Sequence, residues 1–290
     1  MNDLVHMFSP DFLFRNAMLA SVLMGLLCPL IGRHLVFGRT ILLGLALPQV
    51  SLMGIAFIFL GAGLGWEWCR SVHSDFSRAL LGSMIFTIPT LVGLAVYGRR
   101  HVALSEGWLA FLYLLALSVS NLMLSHHAVG ESYLEDLFHG RLLLVSSPAL
   151  VILAGILSVA SALAIIFRHR ILIVLSDPEF AASLRIPLTE WHIALALMNG
   201  LVIGVGVAVV GPLVTFGFLV LPVMTASLLA RSLKTHAIFS SSTGVAMGGV
   251  GFYLSFHHDL PLGACVVAVG CGTLLLAKGA EIILLRNGRV

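Results

Sequence analysis

Apolar runs long enough to cross a lipid bilayer recur along almost the whole chain, and only short polar segments separate them. A transmembrane helix needs about 20 predominantly apolar residues. Because backbone polar groups inside a bilayer must be satisfied internally, runs of this kind fold as α-helices. They occupy residues 12–32, 41–65, 79–97, 108–124, 148–167, 193–210, 211–230, 237–256 and 262–285.

The boundary between the sixth and seventh runs consists only of Gly211 and Pro212. Proline inside a helix removes a backbone hydrogen bond and clashes with the preceding turn. We therefore predict a break or a kink here, which makes the number of transmembrane helices about eight or nine. The predicted fold class is an all-α, polytopic membrane protein.

Composition supports this class, since 59% of the 290 residues are hydrophobic and only 10% are charged. Soluble domains average about 25% charged residues, so a soluble domain is excluded, and the spans leave no length for a separate catalytic domain. No linker or repeat divides the chain, and we predict a single membrane domain over residues 1–290. The formal net charge of +3 and the lack of a basic run disfavour nucleic-acid binding.

Lysine and arginine are distributed unequally between the two sides that alternating helices define. Twelve of the 16 fall on one side, which also holds the C-terminus. Loops that face the cytoplasm carry the excess of these residues. The pattern predicts a multi-pass protein of the cell inner (plasma) membrane with a cytoplasmic C-terminus and, if all nine runs cross, an external N-terminus.

The longest cytoplasmic connection covers residues 168–192 and contains a helix-start signal. Asp177 is a good N-cap, Pro178 suits the first helical position, and Glu179 suits the first turn. With Pro187 bounding the far end, this predicts a helix of about two turns over 177–184. On these residues alone, it is either an ordinary connector or a surface presented to a cytoplasmic partner.

Enzyme signatures are absent from the sequence: it has no phosphate-binding loop, no nucleophile elbow and no zinc-protease motif. We therefore expect no enzymatic activity and no ATP hydrolysis by this chain. Polar side chains within the spans are the candidates for a transport pathway, since burying them in lipid is costly. The main candidates are Gln49, Ser51, Asn199 and Thr215.

The segment VGPLVTFGFLVLPVMTASLLA at 210–230 is followed by SFHHDLPLG at 255–263. These two segments resemble the most specific motifs of the metal-ion ABC importer permeases, the zinc, manganese and iron group. The segment DPEFAASL at 177–184 resembles the family's cytoplasmic segment, and the pieces FRNA at 14–17 and CPLIG at 28–32 resemble its first span. The resemblance covers most of the chain.

This resemblance implies the partners and the energy source. The permease would pair with a second copy, as a homodimer or heterodimer, and would bind two cytoplasmic ABC ATPase subunits and an extracytoplasmic solute-binding protein. ATP would be bound by the ATPase, and no cofactor by this chain. The segment 177–184 would be the ATPase-coupling element, with Asp177, Glu179, Ala182 and Arg185 as the candidate residues.

The second span departs from the family pattern where the metal ligands belong. The family has an Asp and, four residues later, a His, whereas this chain has Leu45 and Gln49. Losing a carboxylate and an imidazole removes groups that would offset dehydration of a divalent cation. The cation passes without a stable midway site, its ligands lie elsewhere, or the cargo is less charged, such as a chelated metal.

Two further positions leave alternatives open. His257, His258 and Asp259, at an outer turn, are either a site that receives a cation or a solvated polar turn. Arg185 stands where the family usually has Gly, so the helix exit has a different geometry or is strained. The alternatives to a metal importer are a free-standing secondary carrier and a divergent permease paralogue for a non-metal or chelated-metal cargo.

Overall fold

The computed structural model of the chain describes residues 14–97 except 39, 71 and 73, then 106–125 and 145–286. Within these residues the regular elements are α-helices, and nine of them are long and apolar enough to cross a membrane. The predicted all-α class and the nine spans are confirmed. The helices are α1 (Arg15–Phe37), α2 (Ile41–Gly63), α3 (Glu67–Arg70), α4 (Asp75–Tyr97), α5 (Glu106–Leu124), α6 (Ser147–Ile166), α7 (Arg168–Ser176), α8 (Pro178–Ser183), α9 (Leu188–Val210), α10 (Pro212–Leu229), α11 (Leu233–His258) and α12 (Leu262–Arg286).

Several spans extend beyond their predicted ends into polar residues. Helix α1 continues past residue 32 to Phe37, and α9 already begins at Leu188 rather than at 193. Hydropathy detects only the apolar part of a helix, while neighbouring helices cover polar residues such as His34, which is only 7% exposed. The two chain termini, whose sides of the membrane were predicted, lie outside the described residues.

The spans pack in two groups. Helices α2, α4, α5 and α9 form one group, while α1, α10, α11 and α12 form the other; α6 contacts both α1 and α9. Within the second group, α1 and α11 approach so closely at Gly25 and Gly244 that a Cβ on either residue would overlap the backbone carbonyl of the other. Such small-residue contacts are the usual means of close helix packing in membranes.

The sequence break between α9 and α10 is a complete one, because only Gly211 separates the two helices. Its φ of 89° lies in the region that favours glycine. The Gly211 N–H donates to Val207 O at 3.1 Å, and the Gly211 carbonyl accepts from the N–H of Thr215 at 3.2 Å. A Cβ on Gly206 would lie 2.8 Å from the Thr215 side chain, so the chain folds back at Gly211 and the connection is a hairpin rather than a kinked helix.

Candidate functional site

The first half of α2 carries the two positions where the family's metal ligands were expected. Leu45 and Gln49 lie one turn apart on the same helix and are both half-buried. The Gln49 side-chain oxygen Oε1 is buried without a hydrogen-bond partner in the described part of the chain. The same holds for the hydroxyl of Ser51, a fully buried residue two positions further along.

Two more unpaired oxygens come from the helices that pack around α2. Asn199 of α9 donates from Nδ2 to Leu195 O at 2.8 Å, but its Oδ1 has no partner. The hydroxyl of Thr87, a fully buried residue of α4, is also unpaired. These statements concern contacts among the described residues only. Each unsatisfied buried oxygen costs on the order of 1–3 kcal/mol, so their recurrence needs an explanation.

Helix contacts place these four residues at similar depth. A Cβ at Gly54 of α2 would overlap the carbonyl of Gly82 in α4. Gly54 and Gly82 therefore lie at the same depth. Ser51 precedes Gly54 by three residues and Thr87 follows Gly82 by five, and since α2 and α4 run in opposite directions, both lie on the same side of this contact and differ in depth by about 3 Å. On α9, a Cβ at Gly200 would lie 3.7 Å from the Cα of Ile88, so their chain neighbours Asn199 and Thr87 share that level. We call Gln49, Ser51, Thr87 and Asn199 the central polar layer.

The central polar layer is electrically neutral. Among the residues whose burial is described, the buried polar side chains are Ser, Thr, Asn and His, and none is Asp, Glu, Lys or Arg. The layer offers oxygen atoms, which suit hard cations such as Mn²⁺. It lacks the carboxylate that would hold a bare cation tightly.

Thr215, the fourth predicted pathway residue, lies apart from this layer. A Cβ on Gly206 would lie 2.8 Å from the Thr215 side chain, near the Gly211 hairpin. Gly206 is about 9 Å along α9 from Gly200. The Thr215 hydroxyl donates to Gly211 O at 2.7 Å. Its hydrogen bond is local to the helix end, and a role in the pathway stays a prediction.

The predicted coupling helix is present as α8, with the predicted start. The Asp177 carboxylate accepts from the Phe180 N–H at 2.9 Å, which is an N-cap hydrogen bond. Glu179 lies in the first turn and is exposed, as is Ala182. Directly before α8, residues 168–176 form α7, which the sequence analysis included in the cytoplasmic connection without predicting a helix there.

Arg185 ends α8 in a conformation normally reserved for glycine, with φ of 56°. Its N–H donates to Ala182 O at 3.0 Å, and the Ile186 N–H donates to Ala181 O at 3.1 Å. This is the hydrogen-bond pattern of a Schellman cap. Of the two predicted alternatives, the strained backbone is confirmed. The C-terminal end of α8 has the usual hydrogen bonds, but Arg185 adopts the left-handed backbone conformation that is unfavourable for residues other than glycine.

Two exposed apolar side chains on this segment were missed by the sequence analysis. Phe180 is 52% exposed and Leu184 is 51% exposed, while Ala181 between them is fully buried. Residues four apart share one helix face. The signal was present in the pattern, because both apolar residues fall on that face. Thr87 was also missed, and no feature of its span distinguishes it from Ser83 or Thr90.

The outer turn after α11 holds the predicted His257, His258 and Asp259, all exposed. The His257 ring stacks on Tyr253 with centroids 5.9 Å apart, and the two histidine rings are 4.9 Å apart. Across the described ranges, no three His, Cys, Asp or Glu side chains are arranged to hold a metal ion. A cation site at this turn stays a prediction.

The chain is similar to known proteins over nearly its full length. The profile of the ABC 3 transport family matches residues 10–279. The manganese transport system membrane protein MntC of Halalkalibacterium halodurans is 23% identical over 263 residues, 91% of this chain and 85% of that protein. The manganese import system permease protein ScaB of Streptococcus gordonii is 25% identical over 261 residues, 89% of this chain and 87% of that protein.

A solved structure shares the fold. The chain superimposes on PsaBC from Streptococcus pneumoniae, determined in complex with a Fab, with a TM-score of 0.77 and 20% sequence identity. The superposition covers 95% of this chain and 94% of the other. The arrangement of helices is therefore one already seen in a solved structure.

Proposed function

Since this chain belongs to the ABC 3 transport family, it is a membrane-spanning permease subunit, and we propose that it moves a divalent transition-metal ion, or a complex of one, into the cytoplasm. The observation that carries the proposal is the family match over residues 10–279. The names of MntC and ScaB report manganese for those relatives, so manganese is the first cargo to test. The family also argues against the free-standing carrier.

The proposed assembly contains other chains. We propose a homodimer of this permease, with all 290 residues forming one domain, that binds two cytoplasmic ATPase subunits and an external solute-binding protein. ATP hydrolysis then belongs to the ATPase, in keeping with the lack of a phosphate-binding loop in this sequence. The coupling segment is 168–192, where the apolar face of Phe180 and Leu184 is open for docking.

The proposed pathway passes the central polar layer. Its four unpaired oxygens supply neutral ligands that replace part of a cation's hydration shell without holding the cation firmly. At the outer end, His257, His258 and Asp259 are the proposed residues that receive the cation from the binding protein. Thr215 is kept as a candidate near the hairpin between α9 and α10.

A second cargo, a chelated metal of lower charge, is favoured by one observation. Leu45 and Gln49 replace the expected Asp and His, and the described spans bury no acidic side chain. A chelator already supplies the charged ligands, so the protein needs only a neutral, polar passage. A free cation therefore needs oxygen ligands from the central polar layer, whereas a chelated metal needs only a neutral, polar passage through it.

Reconstitution tests the proposal and separates the cargoes. The permease, its ATPase and the binding protein are placed in proteoliposomes, and uptake of radiolabelled manganese is measured with and without a chelator. ATP-dependent uptake of free manganese supports the first cargo, and uptake only with the chelator supports the second. The permease alone is the control. ATP hydrolysis by it, or uptake without the ATPase, would contradict the proposal.

A further inference from the structure

A cavity of about 600 Å³ opens where the C-terminal end of α1, the junction of α6 and α7, and the first turn of α11 meet. Most of its wall is apolar and includes Leu30, Phe37, Leu172 and Ile238. Neither the polar layer nor the coupling helix uses this space. It lies at the end of the bundle that the distribution of Lys and Arg assigns to the cytoplasm.

Three cationic side chains line this cavity: Arg33, Arg168 and Lys234. No acidic residue lines it, and the ion pairs of the described residues, Arg78–Asp75 and Lys278–Glu281, involve none of the three. Arg33 is half-buried, whereas Arg168 and Lys234 are exposed at the rim of the same cavity. Like charges gathered around one concave space favour the binding of an anion between them.

A buried histidine and a helix start lie beside these cations. His34, which is 7% exposed, lines the cavity, and its ring nitrogen Nδ1 is buried without a hydrogen-bond partner among the described residues. Ser232 and Leu233, at the start of the 26-residue helix α11, also line it. The positive end of a helix dipole stabilises a nearby anion.

An apolar groove continues from the cavity along the seam of α1 and α11. The two concavities share Leu30, Ala237 and Ile238, and the groove extends to Leu26 and Val245. The hydroxyl of Ser241 in the groove donates to Leu26 O at 2.9 Å, so it is not free for a ligand. From Lys234 to Val245, α11 rises by about 16 Å, which is close to half of the hydrocarbon thickness.

We propose that the cavity and groove bind one anionic phospholipid of the cytoplasmic leaflet. The phosphate lies among Arg33, Arg168 and Lys234, and an acyl chain lies along the α1–α11 seam. An anionic headgroup complements the three cations, and basic pockets between helices at the cytoplasmic side suit such headgroups. Because the lipid contacts α7, and only Asp177 separates α7 from α8, it also fixes the coupling helix to the bundle.

The first test needs no variant. Purified permease is placed in nanodiscs of phosphatidylcholine with or without phosphatidylglycerol, and its thermal midpoint and bound lipid, by native mass spectrometry, are measured. We expect retained phosphatidylglycerol and a raised midpoint. Equal midpoints in the two lipids would overturn the proposal. Inorganic phosphate added to phosphatidylcholine nanodiscs distinguishes the sources: the same stabilisation by phosphate would show an anion site without a lipid.

Paired variants locate the site. Each cation beside an anionic lipid is worth about fivefold in affinity, so Arg168→Gln with Lys234→Gln should weaken phosphatidylglycerol binding about 25-fold. The control, Arg170→Gln with Lys278→Gln, removes the same charge from residues that do not line the cavity. Equal losses in the two pairs would overturn the proposal.

A groove variant tests the acyl-chain position and leaves every cation in place. Ala237→Trp fills the space that the cavity and groove share, and it should reduce the retention of long-chain phosphatidylglycerol while a short-chain, water-soluble analogue still binds. Unchanged retention of the long-chain lipid would overturn the proposal that the acyl chain lies between α1 and α11. None of these measurements involves transport, so failure here is separate from failure of the proposed function.

Discussion

Gln49 is the residue on which the proposed pathway most depends, because its buried Oε1 has no partner among the described residues and its position matches the His that the sequence comparison with the family led us to expect. Gln49→Ala removes this oxygen and should lower manganese uptake in proteoliposomes severalfold. Met53→Ala, one turn further along α2, removes a half-buried apolar side chain and should have a smaller effect. Equal effects of the two substitutions would mean that polarity at position 49 is not used.

The same position allows a gain-of-binding prediction. Leu45→Asp combined with Gln49→His puts a carboxylate and an imidazole on one helix face, where both can bind one divalent cation. Calorimetric titration with zinc and manganese should show tighter binding than in the wild type. The control is Leu45→Asn with Gln49→His, which lacks the carboxylate. If the affinity does not change, this face of α2 does not line the pathway.

At the scale of elements, helix α8 depends on its two caps. Asp177→Ala removes the hydrogen bond to the Phe180 N–H and should destabilise α8 by about 1 kcal/mol, whereas Asp177→Asn keeps an acceptor. Arg185→Gly should stabilise it, since glycine adopts a φ of 56° without the roughly 1–2 kcal/mol cost for other residues.

Amide hydrogen exchange of residues 178–186 measures both effects, and ATPase stimulation measures their consequence for coupling. We expect faster exchange and weaker stimulation in Asp177→Ala, and slower exchange in Arg185→Gly. Unaltered stimulation in an Asp177→Ala variant whose α8 exchanges faster would show that coupling lies in another segment.

The close contact between α1 and α11 at Gly25 and Gly244 leads to a prediction about the stability of the protein. Gly244→Ala places a methyl group against the Gly25 carbonyl, and overpacking of this kind costs about 1–3 kcal/mol. Gly249→Ala in the same helix has no atom within 4 Å of the new methyl. Thermal unfolding in detergent should show a lower midpoint for Gly244→Ala and no loss for Gly249→Ala. A similar loss in both would indicate a general intolerance of α11 to alanine.

Among these elements, local patterns were sufficient for some features and not for others. Apolar runs, the Gly211-Pro212 break and the Asp177 cap all depend on neighbouring residues, and the sequence predicted them correctly. Helix α7 was missed because its apolar run, residues 171–175, is too short to cross a membrane, and the burial of Ile171 and Val174 depends on tertiary packing. Thr87 joined the polar layer only through contacts between α2, α4 and α9, which no single segment encodes.

For the whole molecule, the excess of Lys and Arg at one end predicts the membrane orientation. Helix α8 and the turn at Leu260 lie at opposite ends of the spans. In a Cys271→Ser background, which removes the exposed cysteine, Ser183→Cys should react with a membrane-impermeant maleimide only in inside-out vesicles. Leu260→Cys should react only in right-side-out vesicles. Labelling of both from one side, or the reverse pattern, would contradict this orientation.

The hairpin at Gly211 also constrains how the protein is made. Gly211 and Pro212 are buried, and the Gly211 N–H and carbonyl are both paired, the N–H with the Val207 carbonyl of α9 and the carbonyl with the Thr215 N–H of α10. The tip therefore needs no water, and it has no polar loop that could be left behind in the aqueous phase. We therefore expect α9 and α10 to enter the bilayer together as one helical hairpin, with their mutual orientation fixed by the one-residue connection at Gly211.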